Sequence, residues 1–149
     1  MVKRLLSRRL RSEHGAELIE LALVLPILLL VFAGIVDFGL ILHRFVTINN
    51  AAREGARIAV LPGYTQTDVQ NRVTEYVREG TGDSTLAPTV VLTPTSIDPP
   101  GSTPAFPAAR VTVTLTHAYW LLGPVSGLVG GGSFSTITLT ARSTMRIES

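Results

Sequence analysis

Three acidic side chains stand where charge is costly. Glu17 and Glu20 open an apolar run, and no charged residue occurs between Glu20 and Asp37. Glu17 and Glu20 are three apart and share a face if the segment is helical, and near a helix N-terminus the macrodipole favours acids. Glu20 lies at the start of the apolar core, where an acid costs a few kcal/mol unless it is paired. Asp37 lies near the far end. Two readings fit it: an acid at the outer interface, or a buried partner for an arginine on another membrane helix. The chemistry open to these groups is charge pairing. No catalytic constellation accompanies them. His14, His43 and His117 fall in three separate segments without ligand spacing to one another or to a carboxylate pair, which reads as surface or interface positions. The chain has no cysteine, which excludes disulfides, zinc–thiolate sites and thiol catalysis. It has no G-x-S-x-G elbow, and Gly130-Gly131-Gly132 lacks the Gly-Lys-Ser/Thr that completes a phosphate loop. The expectation is a protein that is not an enzyme, with no metal, cofactor or small-molecule substrate.

The element that carries these acids is long. Glu20 to Asp37 and on through Phe38, Gly39, Leu40, Ile41 and Leu42 exceeds the roughly 20 apolar residues needed to cross a bilayer core about 30 Å thick. The N-terminal segment ahead of it carries Lys3, Arg4, Arg8, Arg9 and Arg11 against Glu13 alone. The rest of the chain has eight basic and ten acidic residues, so the net charge of +2 conceals an asymmetry. Basic residues abutting a span are a topology signal that keeps the N-terminus cytoplasmic. No basic face with interleaved aromatics argues for nucleic acid. A secretory signal peptide would have a shorter apolar core followed by a small-residue cleavage site.

Pro26 interrupts the run, which a membrane helix tolerates, usually with a kink. Gly34 and Gly39 allow close helix contact, although their spacing of five is not the small-xxx-small motif. Helical periodicity continues through Phe45, Ile48, Ala52, Ala56 and Ala59, and Ala51, Gly55 and Ala59 form a small stripe suited to packing on another helix. Pro62-Gly63 stops it. Glu20 to about Val60 would make a rod about 60 Å long, twice the membrane core.

A second helix is expected over Asp68–Glu79, capped by Thr65 or Thr67 and ended by Gly80, with Val69, Val73, Tyr76 and Val77 on its apolar face. Thr89–Thr93 reads as a short strand, and 94–107 as a Pro/Gly/Ser/Thr-rich loop. Arg110–His117 alternates strictly, with Val111, Val113 and Leu115 inward and threonines outward. Ala118–Val129 is apolar but broken by Gly123, Pro124 and Gly127; a loop packed on the sheet and an exposed apolar patch both fit. Gly130–Gly132 is a turn. Phe134–Ile147 alternates again and pairs with 110–117 as a long-looped antiparallel hairpin. The fold class is α+β: a long N-terminal transmembrane helix extends as a stalk into a small extracytoplasmic head of one helix on about three antiparallel strands. The divisions are a basic cytoplasmic leader over 1–15, the transmembrane helix and stalk over 16–61, and the head over 62–149.

Two stretches, Gly15–Gly39 and Asn49-Asn50-Ala51-Ala52-Arg53-Glu54-Gly55-Ala56-Arg57, resemble the N-terminal region of the TadE-like family, pseudopilins or minor pilins of the tight-adherence (Flp) pilus machinery. The second stretch is the more specific signature. The resemblance implies a pilin-like fold and a prepilin-type leader peptidase that cuts between Gly15 and Ala16, placing Glu20 fifth in the mature chain. There Glu20 would pair with a neighbouring subunit's new N-terminal amine. An aromatic often follows this glutamate in the Flp branch; here it is Leu21, and a retained leader stays open. The implied setting is the inner membrane, single-pass, with association with the pilus. The implied partners are other minor pilins, the major pilin and the assembly platform. The alternative is an uncleaved membrane-anchored envelope protein whose head binds or adheres to a surface.

Overall fold

A computed structural model describes the backbone of residues 2–97, 106–123 and 136–147, and the side chains of the same stretches from Gly15 onward. One helix, α1 (Val2–Ala59), runs through the basic segment, through Pro26 and through the whole apolar run. The expected helix therefore begins earlier than Glu20, and the backbone at Gly15–Ala16 is helical too. Its Gly15–Ala59 portion contains a window of mean hydropathy 2.8 with only 6% of the window buried in the protein, which qualifies it as a candidate membrane span.

The second helix, α2 (Gln66–Thr81), is longer than expected at both ends. Thr65 is its N-cap: the hydroxyl accepts from the Asp68 amide, and the Asp68 carboxylate accepts from the Thr65 amide at 2.8 Å, a reciprocal capping box. Gly80 does not end the helix. It stays helical, and a Cβ there would stand 2.7 Å from the Thr47 methyl of α1, so its lack of a side chain serves close approach. The terminator is Gly82, at φ 68°, the left-handed cap that glycine adopts without steric cost.

Three strands follow, β1 (Thr89–Ile97), β2 (Phe106–Ala118) and β3 (Thr136–Arg146), forming an antiparallel sheet in the order β1-β2-β3. The expected loop over 94–107 is shorter than its composition suggests. Pro94 pairs opposite Ala109 and β1 continues to Ile97, because an edge strand can hold a proline without losing an interior ladder bond. Register places Val90 opposite Val113, Leu92 opposite Val111, Val113 opposite Ala141 and Leu115 opposite Leu139, so one face of the sheet is apolar. The opposite face is a threonine ladder: Thr89–Thr114–Thr140 and Thr116–Thr138. The turn expected at Gly130–Gly132 and the rest of the 124–135 connection lie outside the described residues, as does 98–105.

The apolar face rests chiefly on the last turns of α1. Ile48, Ala51, Ala52, Ala56 and Ile58 of α1, Val69, Val73 and Val77 of α2, and Val90, Val111, Val113, Leu115, Leu139 and Ala141 of the sheet form a single buried core. α2 lies beside α1 and meets the sheet mainly along β1. The last turns of the long stalk helix thus pack into the core of the head.

Candidate functional site

Charge and close packing converge at three places on α1: its entrance, its middle at Asp37–Arg44, and its last turns. At the entrance Glu20 is exposed, as are Ala16 and the apolar side chains that follow. Gly15, Gly34 and Gly39 have open space where a Cβ would project: no atom among the described residues lies within 4 Å. Among the described residues, nothing in the head packs against these glycines.

The last turns hold Asn49–Arg57. Ala51, Ala52, Gly55 and Ala56 all face the core. A Cβ on Gly55 would stand 2.5 Å from the Val73 Cγ2 of α2 and 3.2 Å from the Val111 Cγ1 of β2, so this glycine sets how near both elements come to α1. Ala59, one turn on, is half-buried against the same core. The polar members of the segment face outward. Asn49 donates to the Phe45 carbonyl at 2.8 Å, Asn50 is half-buried and Arg53 is exposed. Glu54 accepts two bonds from Arg57 at 2.9 and 2.8 Å and stands 3.7 Å from Arg72 of α2. The Arg57 bonds are the first cause that holds the Glu54 carboxyl below its ordinary value, and Arg72 adds to them against the cost of burial.

The middle of α1 carries side chains that differ from expectation. Asp37 is 1% exposed, and its partners among the described residues are backbone amides, not an arginine. Its carboxylate accepts backbone N–H bonds from Trp120 at 3.1 Å, Leu121 at 3.2 Å to each oxygen, and Leu122 at 2.7 Å. The chain leaving β2 is thereby tied to α1. The first residues of the 118–129 segment lie against α1: Leu121 lines an apolar crevice with Pro26, Leu29, Leu30, Phe32 and Ala33, while Trp120 is an exposed apolar side chain. Residues 124–129 lie outside the described residues.

His117 is the second correction. It is 2% exposed, not a surface residue, because it is the next inward position after Val111, Val113 and Leu115. That alternation was the signal that could have found it. Arg44 of α1 donates to His117 Nδ1 at 2.8 Å and lies 3.5 Å from Asp83 beyond α2, joining the two helices and the sheet at the neck of the head. An acceptor Nδ1 places the ring proton on Nε2, which is buried with no hydrogen-bond partner among the described residues. Tyr119 meets the ring edge-on with centroids 6.1 Å apart. His43, by contrast, is exposed, and the His14 side chain lies outside the described residues.

Burial first, then the neighbouring Arg44 charge, hold the His117 pKa below 6.5, with Asp37 opposing them. Protonation thus favours the unfolded chain. The His117 contribution to stability should be complete above about pH 6.5 and decline as pH falls from there toward its folded pKa. That decline begins above the range in which Glu54 and Asp83, both held below their ordinary carboxylate values, take up protons. Thermal unfolding of the full chain from neutral to mildly acidic pH should show the decline, and His117→Gln should flatten it. An unchanged slope in the variant would assign the acid sensitivity elsewhere.

Among the described residues no group of three or more histidines and carboxylates is placed to hold a metal ion. α1 exposes its apolar surface below Asp37 and embeds its last turns in the head. Residues 15–57 match the family model described as TadE-like protein. No characterised protein sequence and no solved structure showed a significant match. The match and the candidate span together fit a membrane protein related to the tight-adherence pilus.

Proposed function

We propose that this TadE-like protein is a pseudopilin or minor pilin that acts in assembly of a tight-adherence, Flp-type pilus or a related secretion system. The observation that carries the reading is the coincidence of the family match over 15–57 with a single exposed apolar helix from Gly15 to Ala59. The N-terminus lies in the cytoplasm, α1 crosses the inner membrane, and the head stands outside. A prepilin-type peptidase cuts between Gly15 and Ala16, which requires the helical backbone there to open in the protease. Glycine is the residue that makes such opening easiest, since it destabilises a helix interior by about 1 kcal/mol relative to alanine.

In the mature chain Glu20 faces lipid unless a subunit supplies a positive partner, and a neighbour's Ala16 amine is the proposed one. Gly34 and Gly39, against which none of the described residues pack, are the proposed contact points for neighbouring pilin helices, the other minor pilins and the major pilin among them. Mass spectrometry of protein recovered from the native membrane should give an N-terminus at Ala16, and Glu20→Ala should abolish co-purification with the assembly complex. An intact leader together with normal assembly of the Glu20 variant would defeat the proposal. The unbroken helix across Gly15–Ala16 favours a second reading, an uncleaved anchor presenting the head as a binding module, and the same spectrum decides between them.

A further inference from the structure

The Asp37 tie does more than close a loop, because of the level on α1 at which it is made. If α1 enters the hydrocarbon at Leu21, sixteen residues bring Asp37 about 24 Å along a core about 30 Å thick. The backbone of Trp120, Leu121 and Leu122 is bonded at that same level, and Leu121 shares a crevice with α1 residues that lie deeper still, down to Pro26. Around this level Ile35 and Phe38 are exposed apolar side chains. Trp120, whose backbone is bonded to Asp37, is 68% exposed. An indole is the side chain that favours a bilayer interface, where its ring is apolar and its N–H reaches water or a headgroup.

We infer that the turn at Trp120–Leu122 is a second membrane-seated element, lying in the outer edge of the same leaflet that α1 leaves, with Trp120 in lipid and Asp37 as its internal anchor. The inference rests on the reading of α1 as a membrane span. Irregular backbone at that depth is tolerated only if its polar groups are satisfied within the protein. Asp37 satisfies three N–H groups at once, and those groups in turn offset the cost of a carboxylate in the apolar layer. Each half of the contact would be expensive alone. Two points of attachment, the helix and the turn, fix the tilt and rotation of the head against the membrane. That orientation determines which face of the head is presented to a neighbouring subunit.

Trp120 is the sole tryptophan of the chain, so intrinsic fluorescence reports on this turn alone. The full chain is reconstituted in phosphatidylcholine–phosphatidylglycerol vesicles, with or without lipids brominated on the acyl chain near the headgroup. The expected result is blue-shifted emission, strong quenching by the brominated lipid and weak quenching by aqueous acrylamide. Asp37→Ala should raise acrylamide quenching severalfold and reduce lipid quenching. Asp37→Asn, which keeps a carbonyl acceptor, should fall between them.

Three outcomes overturn the inference. Full acrylamide access without lipid quenching in the wild-type chain places the turn in water. Protection from both quenchers places it against protein. A chain that fails to remain with the vesicles removes the membrane span and the inference together, whereas the first two outcomes leave the span intact.

Discussion

Gly55→Val should loosen the head from α1, with a loss of stability at or above the upper end of the roughly 1–3 kcal/mol typical of overpacking. The cause is local and geometric. A single added carbon would already stand 2.5 Å from Val73 and 3.2 Å from Val111, and the valine adds two more. Both neighbours are fully buried in the same core, so a shift of either disturbs the packing around it. Gly55→Ala measures the balance. Its helix propensity improves by about 1 kcal/mol over glycine, while its Cβ forces Val73 to shift. Gly39→Ala is the control, since no described atom lies within 4 Å of the Cβ position there; it should leave the stability of the isolated chain unchanged or slightly raised. Denaturant unfolding of the head in detergent micelles checks all three. A Gly55→Val chain as stable as the parent would show that α1, α2 and β2 do not meet as closely as described.

Asp37→Ala should release the turn that follows β2. Three backbone N–H groups lose their acceptor in a buried place, and each buried unsatisfied group costs about 1–3 kcal/mol. The losses do not add fully, because the turn can move away. A local loss of about 3 kcal/mol corresponds to roughly 100-fold faster amide exchange. Hydrogen exchange at Trp120, Leu121 and Leu122 should rise by that order, while the core amides of Val111 and Val113 stay protected. The adjoining Arg44–His117 bond should persist, since Arg44 reaches the ring from its own position on α1 at 2.8 Å. If exchange at the three amides is unaltered, the carboxylate is not their acceptor in the membrane-bound protein.

Much of the architecture was legible in the residues themselves. Apolarity from Leu21 to Leu42, broken by the single charge of Asp37, predicts a spanning helix whatever surrounds it, because a backbone in lipid must satisfy its own hydrogen bonds. The period-two pattern of Val111, Val113 and Leu115 predicts both a strand and its buried face. Boundaries were less legible. Gly80 resembles a helix stop, yet glycine serves equally for close approach, and only the presence of the Thr47 methyl distinguishes the two roles. Pro94 resembles the start of a loop until β1 is known to be an edge strand.

The candidate site divides along the same line. Glu20, Gly15 and the Asn49–Arg57 segment stand out by type and spacing within one stretch of chain, and their local helical placement follows from that stretch alone. The functions of Gly55, Asp37 and His117 do not. Gly55 faces β2 across 56 residues, His117 meets Arg44 across 73, and Asp37 accepts from backbone amides 83 to 85 residues away. A backbone N–H leaves no mark in a sequence, since every residue but proline has one. The sequence by itself therefore determined the elements, the apolar span and the inward face of the sheet, because each depends on local periodicity. Only the tertiary structure decided that the small residues at the end of α1 belong to the core of the head, and that an aspartate in an apolar helix is held by the turn that follows β2. Those contacts exist only once the chain has brought distant segments within a few ångströms.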